Sequence, residues 1–259
     1  MLNIRPILAF DDNYIWLLQQ DDERQVAVID PGDETPVLQL LQREGLELVA
    51  ILLTHKHGDH TGGVEDLLIA WPNAVVYGPA QEPIRTITKP VAGGEKILLD
   101  GLGVEFEVMD VPGHTEGHLA YYGEGVLFCG DTMFAAGCGR VFSGTYEQLH
   151  DSLQKIASLP SDTKVYCAHE YTLANLGFAK WVEPESALVQ ARFAEASEMR
   201  ARGEPTVPSL LQDELDTNPF LRVGDPNVIA AAESYAGRKL TPGAEVFTAI
   251  RNWKDREYD

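Results

Sequence analysis

Long apolar runs are missing from this chain: nothing approaches the roughly 18–20 residues that span a bilayer. The start, MLNIRPILAFDDNYIW, holds no unbroken apolar core because Pro6 and Asp11 interrupt it, so no signal peptide is read there and a cytoplasmic location is expected. Cysteine is scarce. Three residues, Cys129, Cys138 and Cys167, cannot close a disulfide framework, and no two form a CxxC pair. They read as reduced, structural thiols. Positive charge is short as well, with 20 Lys and Arg against 40 Asp and Glu and a net charge of −20. Such a surface repels other polyanions, which argues against nucleic acid and anionic membranes as partners.

What remains is an ordinary soluble composition, 44% apolar and 23% charged. The acidity is uneven: residues 1–170 carry a balance of −16, and residues 171–259 only −4. The last third is therefore where an anionic substrate finds cations. The first two thirds alternate short β-rich runs (YIWLL, VAVID, LVAILL, AVVYG, VEFEVMDV, LAYYG, GVLFCG, KVYCA) with amphipathic stretches such as TPVLQLLQREG and TYEQLHDSLQKIASLP. Beyond residue 172 the patterns LANLGFAKWV, PESALVQARFAEASEMRARG and PGAEVFTAIRNWKDREYD are helical, with no comparable strand between them. The expectation is an α/β domain over 1–170 built on mixed sheets, followed by a helical domain over 171–259.

The seven histidines are concentrated. THKHGDH contributes His55, His57 and His60 together with Asp59; PGHTEGH contributes His114, and CAHE contributes His169. Each segment follows the end of an expected strand, as does Asp131 in FCGDT. Strand-end loops gather at one edge of a sheet, where rigid elements hold chemically active residues. Seven ligands exceed the four of a single zinc ion and suit two ions with one shared ligand. A carboxylate can bridge through its two oxygens and an imidazole cannot, so Asp131 is the natural shared residue. With no thiolate among the donors, zinc, iron and manganese are all compatible. His118 and His150 are set aside, His150 because it falls within a helix pattern and His118 because His114 is better placed.

THKHGDHTGG, PGHTEGH, FCGDT and AHE, in this order, resemble the metallo-β-lactamase superfamily. FDDNYIWLL, VIDPGD, GCGRVFSGT, CAHEYTLANLGFAKWVEP and the terminal RNWKD resemble one branch of it, glyoxalase II (hydroxyacylglutathione hydrolase), over nearly the whole chain. The resemblance implies an αββα four-layer sandwich with a C-terminal helical, substrate-binding domain. It implies two divalent ions, zinc first, with His55, His57 and His114 on one, Asp59, His60 and His169 on the other, and Asp131 bridging. Asp59 and Asp131 are the carboxylates expected to serve catalysis as well as metal binding.

The implied reaction is hydrolysis of S-D-lactoylglutathione to D-lactate and glutathione, a step of methylglyoxal detoxification, with a metal-bridged hydroxide as nucleophile. A thiolate of solution pKa near ~8.5 leaves without a strong acid. The resemblance places Arg251 and Lys254 on the glycine carboxylate of glutathione, and Arg140 and Tyr171 at other glutathione contacts. Phe142 stands where some relatives have Tyr. From spacing alone, Arg251 and Lys254 would read as the basic, solvated end of a helix. Rival readings on the same fold are an iron-dependent persulfide dioxygenase, a diiron electron-transfer protein, another metal-dependent thioesterase, and an RNA-processing nuclease, which the acidity disfavours. A non-catalytic metal-binding module is the remaining class, and the complete ligand set argues against it. A small-molecule substrate and a monomer are expected.

Overall fold

The computed structural model describes residues 2–21 and 23–258. Two compact units make up the chain, Met1–Asp110 with Thr115–Gly130, and Val111–His114 with Asp131–Asp259.

In the first unit, β1 (Leu2–Ala9) and β2 (Asn13–Gln20) form an antiparallel hairpin in register from Leu2↔Gln20 to Ala9↔Asn13. Next, β3 (Gln25–Ile29) pairs antiparallel with β2. Helix α1 (Glu34–Glu44) is started by Asp33, whose side chain accepts from Thr35 N at 2.8 Å, and stopped by Gly45 in the left-handed region. That helix is long enough for a crossover, so β4 (Glu47–Leu52) returns parallel to β3. A second crossover through α2 (Gly58–Thr61) and α3 (Val64–Ala70) makes β5 (Val75–Pro79) parallel to β4, and β6 (Lys89–Val91) continues the parallel set.

The sheet is therefore mixed, in the order β1-β2-β3-β4-β5-β6. Its apolar residues, among them Ile15, Leu17, Val26, Val28, Ile51 and Val76, form one core with Val37 and Leu41 of α1 and Val64 and Leu67 of α3. Both edge strands carry a proline, Pro6 in β1 and Pro90 in β6. Four further strands, β7 (Lys96–Leu99), β8 (Val104–Asp110), β9 (Leu119–Gly123) and β10 (Val126–Gly130), form an antiparallel meander. Most of β8 alternates buried and exposed residues, the signature of a strand with one covered face.

The second unit contains a tight hairpin, β11 (Met133–Phe134) and β12 (Gly137–Cys138), and then α4 (Tyr146–Ala157), which opens on a Thr145/Gln148 capping box. After β13 (Lys164–Cys167) the chain is mostly helical: α5 (Thr172–Val182), α6 (Ala187–Ala201), α7 (Leu211–Thr217), α8 (Pro226–Ala236) and α9 (Ala244–Trp253). One strand interrupts the expected all-helical stretch. The two-residue β14 (Ser209–Leu210) pairs antiparallel with β13 through Lys164↔Leu210 and Val165↔Ser209.

Aromatic rings of α5 and α9 meet Phe220: Phe178 lies 6.0 Å from Phe220, which lies 5.7 Å from Phe247. Glu214 of α7 is fully buried and fully engaged. It accepts from Ala136 N at 2.7 Å and Asn218 Nδ2 at 3.1 Å and pairs with Arg192, while Asn218 Nδ2 also donates to Gly137 O at 2.9 Å. This network fastens the β11–β12 hairpin to the helices. The final helix does not run regularly to the end; after Trp253 it widens into a π-helical turn, Lys254–Tyr258.

Candidate metal centre

In the first unit the site grows from the ends of β3 and β4. Asp30 follows β3 with φ +52 and is buried. Its Oδ1 accepts from Thr54 N at 2.8 Å, and its Oδ2 accepts from the Thr54 hydroxyl at 2.7 Å and from His60 Nδ1 at 3.0 Å. These bonds decide two tautomers. A carboxylate only accepts, so the His60 proton sits on Nδ1 and Nε2 keeps its lone pair. The single Thr54 hydroxyl proton goes to Asp30, so Thr54 Oγ1, 3.1 Å from His55 Nδ1, accepts from it. His55 Nε2 is left as a donor atom for a metal. Asp30 thus orients His55 through Thr54 and His60 directly. One residue earlier in the same loop, Leu53 O accepts from the buried Tyr121 hydroxyl at 2.7 Å.

His57 is the first residue before α2, with its Nδ1 3.0 Å from His55 Nε2. Asp59 Oδ2 lies 3.4 Å from His60 Nε2 and accepts from Asn13 Nδ2 at 3.2 Å. The ring of His118 stacks on His55 at 4.6 Å and 19°, and its Nδ1 donates to Leu119 O at 2.9 Å. His118 is therefore packed behind a candidate ligand. Gly130 packs against Thr54 and His118. Its φ of +48 suits glycine, and a Cβ there would fall 2.4 Å from Thr54 Oγ1 and 2.9 Å from His118 Cε1.

In the second unit Asp131 is buried between two histidines: Oδ2 is 3.5 Å from His114 Nε2, and Oδ1 is 3.4 Å from His169 Nε2. His114 Nδ1 donates to the carbonyl of Arg140 at 2.8 Å, which again leaves the Nε2 lone pair for a metal. Gly139 permits this approach, since a Cβ there would meet Asp131 O at 2.0 Å and His114 Nδ1 at 2.9 Å. His169 stacks on Tyr171 at 4.8 Å and 6°. Phe142 meets His114 edge-on at 5.2 Å and is 66% exposed. His150 lies in α4 beside Asp151 and Phe247.

The two terminal bases are not a solvated helix end. Arg251 is 1% exposed and Lys254 is 6% exposed, its Nζ 5.7 Å above the Tyr258 ring. Arg251 donates to Cys138 O at 3.0 Å and to Asp255 Oδ1 at 2.8 Å. Burial pushes the Cys138 thiol up to about 11 against the pull of the Arg251 charge.

The donor set is imidazole nitrogen and carboxylate oxygen, and in His55, His60 and His114 the hydrogen bonds at Nδ1 leave the Nε2 lone pair for a divalent ion. Its close pairs, 3.0–3.5 Å apart, resemble the roughly 3.3 Å edges of a tetrahedron of ligands at about 2.0–2.2 Å from one ion. The residues fit such ions. Sequence reasoning did not single out Asp30, Thr54, Asn13 or Asp255. The one available signal was an acid at the end of an apolar strand, in VIDPG.

Residues 9–169 match the model of the metallo-beta-lactamase superfamily. Solved structures with this architecture include the BLEG-1 B3 metallo-beta-lactamase (TM-score 0.61, 25% identity, 85% of this chain and 99% of that one) and ETHE1 from Myxococcus xanthus (TM-score 0.58, 25% identity, 86% and 98%). The chain is thus an α/β metal-dependent hydrolase of the metallo-β-lactamase fold, extended by a C-terminal helical region. Residues 170–257 match the model described as the hydroxyacylglutathione hydrolase C-terminus. Curated relatives called hydroxyacylglutathione hydrolase include those of Nitrosomonas europaea (48% identity over 98% of this chain and 96% of the relative), Alkalilimnicola ehrlichii (52%; 99% and 100%) and Vibrio cholerae (51%; 98% and 99%). The chain belongs to the hydroxyacylglutathione hydrolase family.

Proposed function

We propose that this enzyme hydrolyses S-D-lactoylglutathione to D-lactate and glutathione, in the cytoplasm, as a step of methylglyoxal detoxification. The observation that carries the reading is the full-length similarity to hydroxyacylglutathione hydrolases, which includes the helical segment 170–257 as well as the superfamily segment. That helical match favours the thioester reading over the persulfide dioxygenase and the other rivals. Among the described residues no helix is long and apolar enough to cross a membrane.

His55, His57 and His114 would hold one ion, Asp59, His60 and His169 the other, and Asp131 would bridge them, with zinc the first choice and iron or manganese compatible with the same donors. When bound, such a pair lowers the pKa of a water towards ~7 and polarises a carbonyl. The chain's own residues do the rest. Asp30, Thr54 and the Arg140 carbonyl keep three histidines in the ligating tautomer. Asn13 steadies Asp59. Arg140, Phe142, Tyr171, Arg251 and Lys254 make up the substrate-binding set, with Arg251 and Lys254 on the glycine carboxylate of the tripeptide, Arg140 and Tyr171 at other contacts, and Phe142 supplying aromatic surface.

The test joins elemental analysis with a hydrolysis assay. Two ions per chain and turnover of S-D-lactoylglutathione are expected. Full activity with one ion at saturation would overturn the binuclear assignment, and no thioesterase activity in the two-ion protein would overturn the substrate.

A further inference from the structure

The motif CAHE brings His169 to the candidate metal centre and leaves its acid, Glu170, without a task. We infer that Glu170 is a positioning residue: by gripping Thr206 it fixes the turn from β13 into α5, and so holds the ring of His169 where an ion can be ligated. The inference rests on the binuclear reading above and goes beyond it.

Both oxygens of Glu170 are engaged by one residue. Oε2 accepts from Thr206 N at 2.8 Å, and Oε1 accepts from the Thr206 hydroxyl. Thr206 Oγ1 also lies 2.6 Å from Thr172 Oγ1. A hydroxyl carries one proton and a carboxylate only accepts, so Thr206 donates to Glu170 and Thr172 donates to Thr206. The three side chains form a chain of bonds running in one direction, and the charged acceptor at its end makes the bonds to Glu170 stronger than neutral ones. Arg200 Nη1 stands 3.8 Å from Glu170 Oε2, with 36% of the arginine side chain exposed against 8% of the glutamate. A surface ion pair therefore does not account for the burial of this acid.

The clamp sits beside the part of the chain that carries the ligand. Val165↔Ser209 is the last pair that β13 makes with β14. His169 lies beyond it, in the short connection 168–171 between Cys167 of β13 and Thr172 at the start of α5. Glu170 and Thr172 tie the middle and the end of that connection to Thr206. His169 is thus held between two fixed points, the strand pair before it and the clamp after it. Its ring stacks on Tyr171, meets Phe134 edge-on at 5.7 Å, and brings Nε2 to 3.4 Å from Asp131 Oδ1. A backbone shift of about 1 Å here is half of a metal–nitrogen bond of about 2.0–2.1 Å.

Glu170→Ala removes the clamp. Competition of the two-metal enzyme with a chromophoric chelator should find one ion held as in the wild type and the other weakened about 10–100-fold, the usual effect of losing an orienting partner. Glu170→Gln should restore most of that affinity. Its amide oxygen can accept from Thr206 N while its NH2 group donates to Thr206 Oγ1. Thr206→Val keeps the bond from the backbone N–H and loses the hydroxyl, so it should weaken the same ion by a smaller factor. It also keeps the question open to measurement should Glu170→Ala not fold. Thermal denaturation of the metal-free proteins reports general destabilisation.

Equal weakening of both ions, or unchanged affinities whatever the melting temperature, would overturn the clamp. So would a Glu170→Gln variant as damaged as Glu170→Ala, since the acid would then act through its charge and not through its geometry. His169→Ala tests the underlying reading separately. If it keeps both ions, His169 is not a ligand and the reading is wrong. If it loses one ion while Glu170→Ala and Thr206→Val hold both as the wild type does, the reading stands and the clamp fails.

Discussion

His114 donates from Nδ1 to the carbonyl oxygen of Arg140 at 2.8 Å. One residue therefore serves two tasks on opposite sides of its peptide group. Its carbonyl fixes the tautomer of a candidate metal ligand, and its side chain stands in the proposed substrate set. The loop around it is drawn in further by Phe142 N, which donates to His114 O at 3.0 Å.

Gly139→Ala should be far more damaging than a surface glycine change. The added methyl would sit 2.0 Å from Asp131 O, so backbone must move by about an ångström at the very residues that carry His114 and Asp131. Misplacement on that scale costs about 100-fold in catalysis. Comparing kcat/KM and metal content of Gly139→Ala with those of Gly125→Ala, where open space surrounds the added methyl but φ is positive, would separate a local steric effect from general strain.

His57→Ala should lose metal and activity together. His118→Ala and His150→Ala should keep both ions, with His118→Ala losing about 1–3 kcal/mol of stability because it leaves a gap behind His55. Elemental analysis and thermal denaturation of the three variants check the contrast. Loss of an ion in His150→Ala would contradict the assignment.

Asp131→Ala should abolish the two-ion state and lower turnover by several orders of magnitude, since each carboxylate oxygen faces a different histidine. Asp30→Asn is expected to be milder, weakening metal affinity about 10–100-fold, the usual effect of removing an orienting partner. Competition with a chromophoric chelator measures both.

Cys138 and Cys167 should resist alkylation in the native enzyme at neutral pH. Burial raises their thiols to about 11 and about 12, so at pH 7 the reactive thiolate is a fraction of about 10⁻⁴ or less, and it grows only as pH rises toward those values. Mass spectrometry after native iodoacetamide treatment should find both unmodified, and full labelling is expected only after unfolding.

The candidate metal-binding residues were legible because their spacing is local. THKHGDH crowds four donors into six residues after an apolar strand, and PGH, CGD and AHE repeat the strand-then-donor pattern. The strands β2 to β5 and the helix α1 were legible for a similar reason, since caps and apolar runs write themselves into neighbouring residues. What could not be read depends on contacts far apart in sequence. Asp30 gains its role from Thr54 and His60, 24 and 30 residues away, and Arg251 is buried by Cys138, 113 residues earlier. Edge and two-residue strands were lost too. β1 has Arg5 and Pro6 breaking its alternation, and β14 is too short to show a period. α8 is a different case: Asp225, Pro226 and Gly237 mark its ends as clearly as the ends of α1 are marked.

Pro6 and Pro90 stand on the two outer strands of the mixed sheet. An open sheet edge invites another chain to add itself as one more strand, the common route into domain-swapped and fibrillar assemblies. Proline offers no N–H for such a ladder, and β6 adds to this by being three residues long. Crowding copies of this enzyme should therefore not zip them together through these backbones, so any association between copies there would have to be built from side chains.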